Sequence, residues 1–186
     1  MSLLHFFGIG GNKNYPALDR RDADSSQLLA PGTKILYDPN LIPQLVHDHG
    51  QLVAVYSTIN KAIEKKLYHK IHGLLDTFLA LFNKHALTEY TKLYVFLDYS
   101  LRPYSEQHQE IMRFRKEMQE IGKVVRQFVH EWKRVDINAD KLSEFSSELQ
   151  DIGSVLSKRI TVEEKQLYQV YADAPKLLNA ENTLTH

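Results

Sequence analysis

The chain has 186 residues, enough for one domain with a substantial core, and its 23 basic and 23 acidic residues cancel. A balanced charge gives no general attraction to nucleic acid or to an anionic membrane, and the absence of cysteine excludes disulfides, thiolate metal sites and cysteine nucleophiles. No stretch is long and apolar enough to span a bilayer, and residues 1–7 lack the basic start and small-residue cleavage site of a signal peptide, so a cytoplasmic location is expected.

Residues 1–40 carry Gly8, Gly10, Gly11, Gly32, Pro16, Pro31 and Pro39 and show no sustained period, which predicts an irregular N-terminal arm. Leu28, Leu29, Ile35, Leu36 and Tyr37 are the residues with which its later part can pack on the remainder. Gly8-x-Gly10-Gly11 is not a phosphate loop, because no strand precedes it and no helix clearly follows. Asp38-Pro39-Asn40 is a helix start signal with Asn40 at the N-cap. A first helix is predicted over residues 41 to about 64, with Ile42, Leu45, Val46, Leu52, Val53, Tyr56 and Ile59 as its apolar stripe. A second runs from about 67 to about 97 on Ile71, Leu74, Leu75, Phe78, Leu81, Phe82, Leu93 and Phe96. Pro103 and Ser105 open a third, ending near residue 132, with Ile111, Met118, Ile121, Val125, Phe128 and Trp132 inward. A fourth follows the turn marked by Asp136, Asn138 and Asp140 and ends near residue 171. Four long helices on short connections predict an all-α, up-down-up-down four-helix bundle over residues 41–172, with a tail over 173–186.

Five residues stand on these apolar stripes where core side chains belong. They are His49 on the first helix, His85 and Glu89 on the second, His108 on the third and Glu163 on the fourth. Carboxylates buried without partners cost several kcal/mol each, on the order of the penalty for any unpaired buried charge. A bound cation or an internal ion-pair network is therefore required. His85 and Glu89 are four apart and share a helix face. In an antiparallel bundle His49 lies level with His85, and His108 level with Glu163. The register between the second and third helices is out by about one turn, ~5.4 Å, which a tilted linker near residues 100–103 would have to absorb. Imidazole and carboxylate ligands from facing helices suit iron, manganese or zinc. Against this stands Arg159, one turn before Glu163 and close to the same face. In the alternative, Glu89 and Glu163 pair with Arg159 and Lys92, and the polar layer only fixes helix register. No Ser-based triad is evident, and nothing points to an ordinary enzyme.

At these residues the chain resembles the hemerythrin-like, or HHE cation-binding, family. The resemblance rests on His49 in the first helix, His85-x-x-x-Glu89 followed by Lys92-Leu93-Tyr94 in the second, His108 in the third, and Arg159-x-x-x-Glu163-Glu164 with Tyr168 in the fourth. It implies a non-haem iron site on His49, His85, Glu89, His108 and Glu163, with dioxygen or another small diatomic molecule as ligand, and a role in oxygen, iron or redox sensing. The family pattern has a histidine where this chain has Arg159. A guanidinium carries a fixed positive charge, so one iron, zinc or no metal replaces the usual two irons. A weaker resemblance, in Phe145, Leu149, Asp151-Ile152-Gly153, Leu156, Arg159 and Glu163 to Lys165, is to the Rsd/AlgQ regulators. It implies a metal-free bundle that binds a sigma factor or another protein partner.

Overall fold

The computed structural model describes residues 28–184. The Gly8-x-Gly10-Gly11 segment and most of the expected arm lie outside these residues. Helix α1 is Leu41–Glu64 and α2 is Ile71–Thr88, preceded by a short 3-10 turn, Tyr68–Lys70. A π-helical turn, Glu89–Leu93, joins α2 to α3, Tyr94–Ser100, so that the two form one rod. Helix α4 is Ser105–Trp132. Helix α5, Leu142–Val162, passes through a second π-helical turn, Glu163–Leu167, into α6, Tyr168–Leu184. The four rods form an all-α four-helix bundle, and the one extended pairing among the described residues is an isolated bridge between Leu29 and Leu36.

One boundary and one cap differ from expectation. The last rod does not stop near residue 171 but continues to Leu184, through Pro175. Val170, Tyr171, Ala174 and Leu178 keep its helical stripe going and are buried against Ala30, Phe96 and Leu97. Asn40 occupies the N-cap position but makes no side-chain cap. Asp38 does the turning instead, through its Oδ1, which accepts from the Asn40 amide at 3.0 Å. Between α1 and α2 the chain reverses without glycine because Lys66 takes a left-handed φ of 56°.

The stripe of α1 is also rotated from the expected one. Leu41, Leu45, Asp48, His49, Leu52 and Ile59 are buried, whereas Val46 and Val53 are exposed. In the arm, Leu28, Ile35 and Tyr37 pack inward, whereas Leu29 and Leu36, paired at the bridge, face solvent. Tyr37 stacks on Tyr171 at 4.9 Å, and the Tyr171 hydroxyl accepts from the Asp38 amide at 2.9 Å, which ties the arm to the final helix.

The core is divided in two. One apolar cluster, with Leu52, Phe82, Met118 and Ile152, fills the end of the bundle near the α1–α2 turn. The other, with Leu45, Leu93, Phe114 and Leu167, fills the opposite end. On every rod the residues between the two clusters include a charged or polar one, and those residues form the site.

Helices α1 and α5 approach closely at one point. A Cβ on Gly153 would lie 2.2 Å from the Tyr56 hydroxyl oxygen, and that hydroxyl donates to the Leu149 carbonyl at 3.3 Å. We therefore expect Gly153→Ala to destabilise the protein by roughly 1–3 kcal/mol, the usual cost of overpacking. Gly73→Ala, where a Cβ would meet nothing within 4 Å, should stabilise it by up to ~1 kcal/mol through helix propensity. Urea denaturation of the two variants checks this, and a stability gain at Gly153 would contradict the packing.

Candidate metal centre

His49, His85, Glu89, Arg159 and Glu163 lie in one layer, each no more than 5% exposed. One ligand atom each from His49, His85 and Glu163 falls within 4.8 Å of the others, and the His49 and His85 rings are 4.6 Å apart. Glu89 joins through Oε2, 3.9 Å from His85 Nε2. Each carboxylate opens one of the two π turns. A step of four residues overshoots a full α-helical turn by ~40°, so the runs 85–89–93 and 159–163–167 would drift off the core face. The wider π turn takes up the excess and lets Leu93 and Leu167 stay buried behind the glutamates.

Hydrogen bonds hold the layer in place. His49 Nδ1 donates to Glu164 Oε1 at 2.8 Å, which aims Nε2 inward at Glu163 Oε2, 3.1 Å away. The Tyr168 hydroxyl donates to Glu89 Oε1 at 2.9 Å and lies 3.3 Å from His49 Nε2. Arg159 Nε donates to Glu163 Oε1, and its Nη2 donates to the Tyr94 hydroxyl at 2.6 Å. Its Nη1 stands 3.5 Å from Glu117 Oε2, close enough for an ion pair but without a hydrogen bond.

Charge is unevenly shared. Burial, reinforced by the charge of Glu163, pushes the Glu89 carboxyl up to about 8. Burial would raise Glu163 too, but Arg159 and His49 outweigh it and hold that carboxyl below its ordinary value. Burial lowers His85 to about 4 and leaves the ring neutral. His49 moves the other way: burial opposes its charge, and the carboxylates of Glu163, Glu164 and Glu89 overcome that. The layer thus has one settled ion pair, Arg159 with Glu163, and one carboxyl without a counter-charge, Glu89.

These residues fit a cation. His85 Nδ1 and Glu89 Oε2 are buried and make no hydrogen bond. Neutral imidazole and carboxylate oxygen are the donors that iron, manganese and zinc accept. The Glu164–His49 contact is the kind of carboxylate–imidazole support that fixes a ligand ring.

His108 is not part of this layer, contrary to expectation. Its Nε2 donates to Asp98 Oδ1 at 2.7 Å, at a partly exposed position. The layer crosses α4 between Phe114 and Met118, at Glu117, and His108 lies nine residues earlier, ~13 Å along the axis. This displacement is about two and a half turns, so the level drawn between His108 and Glu163 across the turn near Asp136 does not hold. Lys92 does not reach the glutamates either, and pairs with Asp38 at 3.5 Å. His72 Nε2 donates to the Val135 carbonyl at 3.0 Å.

Tyr94, Glu117, Glu164 and Tyr168 complete the site without having been assigned to it from sequence. Glu164 and Tyr168 stand inside the fourth-helix motif, and Tyr94 follows Glu89 by five residues, so their nearness was visible in the chain. Glu117 reads as one more acidic residue on a solvated face, and only the position of Phe114 one turn before Met118 marks its level.

The family model described as Hemerythrin HHE cation binding domain matches residues 40–171. No curated protein and no solved structure matches the chain.

The charge distribution predicts an unusual pH response for protein freed of metal by a chelator. Between pH 6.5, the ordinary histidine value, and about 8, Glu89 and His49 hold more protons folded than unfolded. Stability therefore falls as pH rises through this interval. Glu89→Gln should remove most of the fall. Urea midpoints measured from pH 6.5 to 8.5 check it, and a midpoint that rises with pH would contradict the assignment.

Proposed function

This chain belongs to the hemerythrin HHE cation-binding family, and on that premise we propose that its buried polar layer holds a single non-haem iron ion. His49 and His85 supply nitrogen, and Glu89 and Glu163 supply oxygen. The observation that carries the reading is the convergence of His49, His85 and Glu163 from three helices, with Glu89 beside them and with His85 Nδ1 and Glu89 Oε2 buried and unbonded.

The single ion follows from Arg159. A carboxylate bridges two cations by giving one oxygen to each, and Glu163 Oε1 is already held by Arg159. The guanidinium supplies the positive charge that a second ion would bring. His108, expected as a further ligand, is committed to Asp98.

Bound iron would supply redox chemistry and a coordination position for dioxygen or another diatomic molecule. The chain's own residues bind and orient it. Glu164 fixes the His49 ring, Tyr168 holds Glu89, and Tyr94 holds Arg159. The buried, unbonded His85 Nδ1 and Glu89 Oε2 are taken up as ligand atoms in this reading, and the apolar clusters above and below limit the access of bulk water. We read this as a site for sensing or binding oxygen, iron or redox state rather than for turnover. Among the described residues no helix is long and apolar enough to cross a membrane. The metal-free, sigma-binding reading has no specific observation in its favour.

The test is the metal content of protein purified without a tag from iron-supplemented cells. About one iron per chain is expected. His85→Ala should abolish binding, His108→Ala should leave it intact, and Glu164→Gln should weaken it by roughly 10–100-fold, as loss of a ligand-supporting partner does. Two irons per chain would overturn the role given to Arg159. No metal in a well-folded sample would overturn the metalloprotein reading.

A further inference from the structure

A cavity of about 310 Å³ lies between α1 and α5 and adjoins the polar layer. Its two ends differ. One is formed by His49, His85, Arg159 and Glu163, and the other by Tyr56, Phe78 and Gly153. From His49 to Tyr56, and from His85 to Phe78, is seven residues in each case, so the cavity extends ~10 Å from the charged layer into the apolar core. Exposed Val53, Ser157 and Thr161 form its mouth on the surface.

The polar end has unused donor capacity. Arg159 lines the cavity and is 5% exposed, and its Nη1 makes no hydrogen bond although it lies 3.5 Å from the partly exposed Glu117 carboxylate. The charge balance there also favours an anion. With a divalent cation bound, its two positive charges and that of Arg159 face one negative charge each from Glu89 and Glu163. Asp48, the other buried carboxylate, faces Lys84 at 3.5 Å, and Glu117 and Glu164 are about one-third exposed and solvent-screened. One positive charge is left over in a water-poor layer. A small inorganic anion would satisfy the charge but not the long apolar wall.

We propose that this cavity binds a small monocarboxylate with an apolar chain, its carboxylate on Arg159 at the polar layer and its chain along Leu52, Tyr56, Phe78, Phe82 and Leu156. The inference rests on the one-cation reading, because the cation supplies the charge excess. Such a ligand would place an organic acid beside the metal, so that metal occupancy and acid binding favour one another.

Isothermal titration of the full chain with octanoate, and with octanol as the uncharged control, tests this. The protein is loaded with zinc, a redox-silent stand-in that binds such ligands more strongly than ferrous iron, and its metal content is measured on the same sample. Octanoate should bind at one per chain and at least about tenfold more tightly than octanol, the equivalent of one charge-assisted hydrogen bond. Removing the zinc should erase that preference. So should Arg159→Gln, compared at matched metal occupancy. Leu156→Trp, which fills the cavity from a half-buried position and is expected to fold, should abolish binding of both. Equal affinity for octanoate and octanol, or no saturable octanoate binding to zinc-loaded protein, would overturn the inference alone. A chain that takes up no metal would overturn the one-cation reading and this inference with it.

Discussion

Two carboxylates share a water-poor core layer, and everything else in the site answers to that constraint. Glu89 and Glu163 are essentially inaccessible and stand among the side chains of a helical bundle. Both cannot be charged there unless positive charge is brought in from within. Arg159 brings one such charge and gives it to Glu163. Nothing comparable is given to Glu89, whose Oε1 has only the Tyr168 hydroxyl and whose Oε2 has no hydrogen bond. The asymmetry is the physical reason to read the layer as a place for one cation. A purely structural network would be expected to satisfy both carboxylates, because a half-satisfied buried network is less stable than an apolar core of the same volume.

The fold is arranged around this layer. It separates two apolar clusters, so each rod must carry a polar residue at one height and return to an apolar stripe immediately afterwards. On the second and fourth rods that return is made by a π turn beginning at the glutamate itself. Such turns are rare in helices and recur where function asks for a local change of phase. The fourth rod then continues to Leu184 because it has a second task, packing Tyr171, Ala174 and Leu178 against the arm and α3. The close approach of Tyr56 to Gly153 adds a third element, since it shapes the end of the cavity that leads away from the layer.

Much of this was legible in the sequence, for identifiable reasons. Helix number, order and approximate limits follow from stripes of period 3.6, and a charged residue on such a stripe is conspicuous. That is why His49, His85, Glu89, Arg159 and Glu163 could be picked out. Height along the bundle was harder to read. It depends on the geometry of connections, and equal counting from the turn near Asp136, between the third and fourth rods, set His108 level with Glu163 in the place that Glu117 takes. Hydroxyl partners were harder still. Tyr94 and Tyr168 look like core aromatics in any helical pattern, and only in the folded structure are their oxygens seen directed at Arg159 and Glu89. The π turns left no trace in the residue pattern beyond the i, i+4, i+8 spacing they make possible.

The central claim is that one cation, not two and not none, resides in this layer. Anomalous diffraction at the iron edge, on crystals of iron-loaded protein, addresses it most directly because it gives position as well as number. The account predicts a single peak enclosed by His49, His85, Glu89 and Glu163, with Arg159 still bonded to Glu163. Two peaks about 3.5–4 Å apart, the separation of two-metal sites, would contradict it, as would a peak at His108 and Asp98 or the lack of any peak in the core.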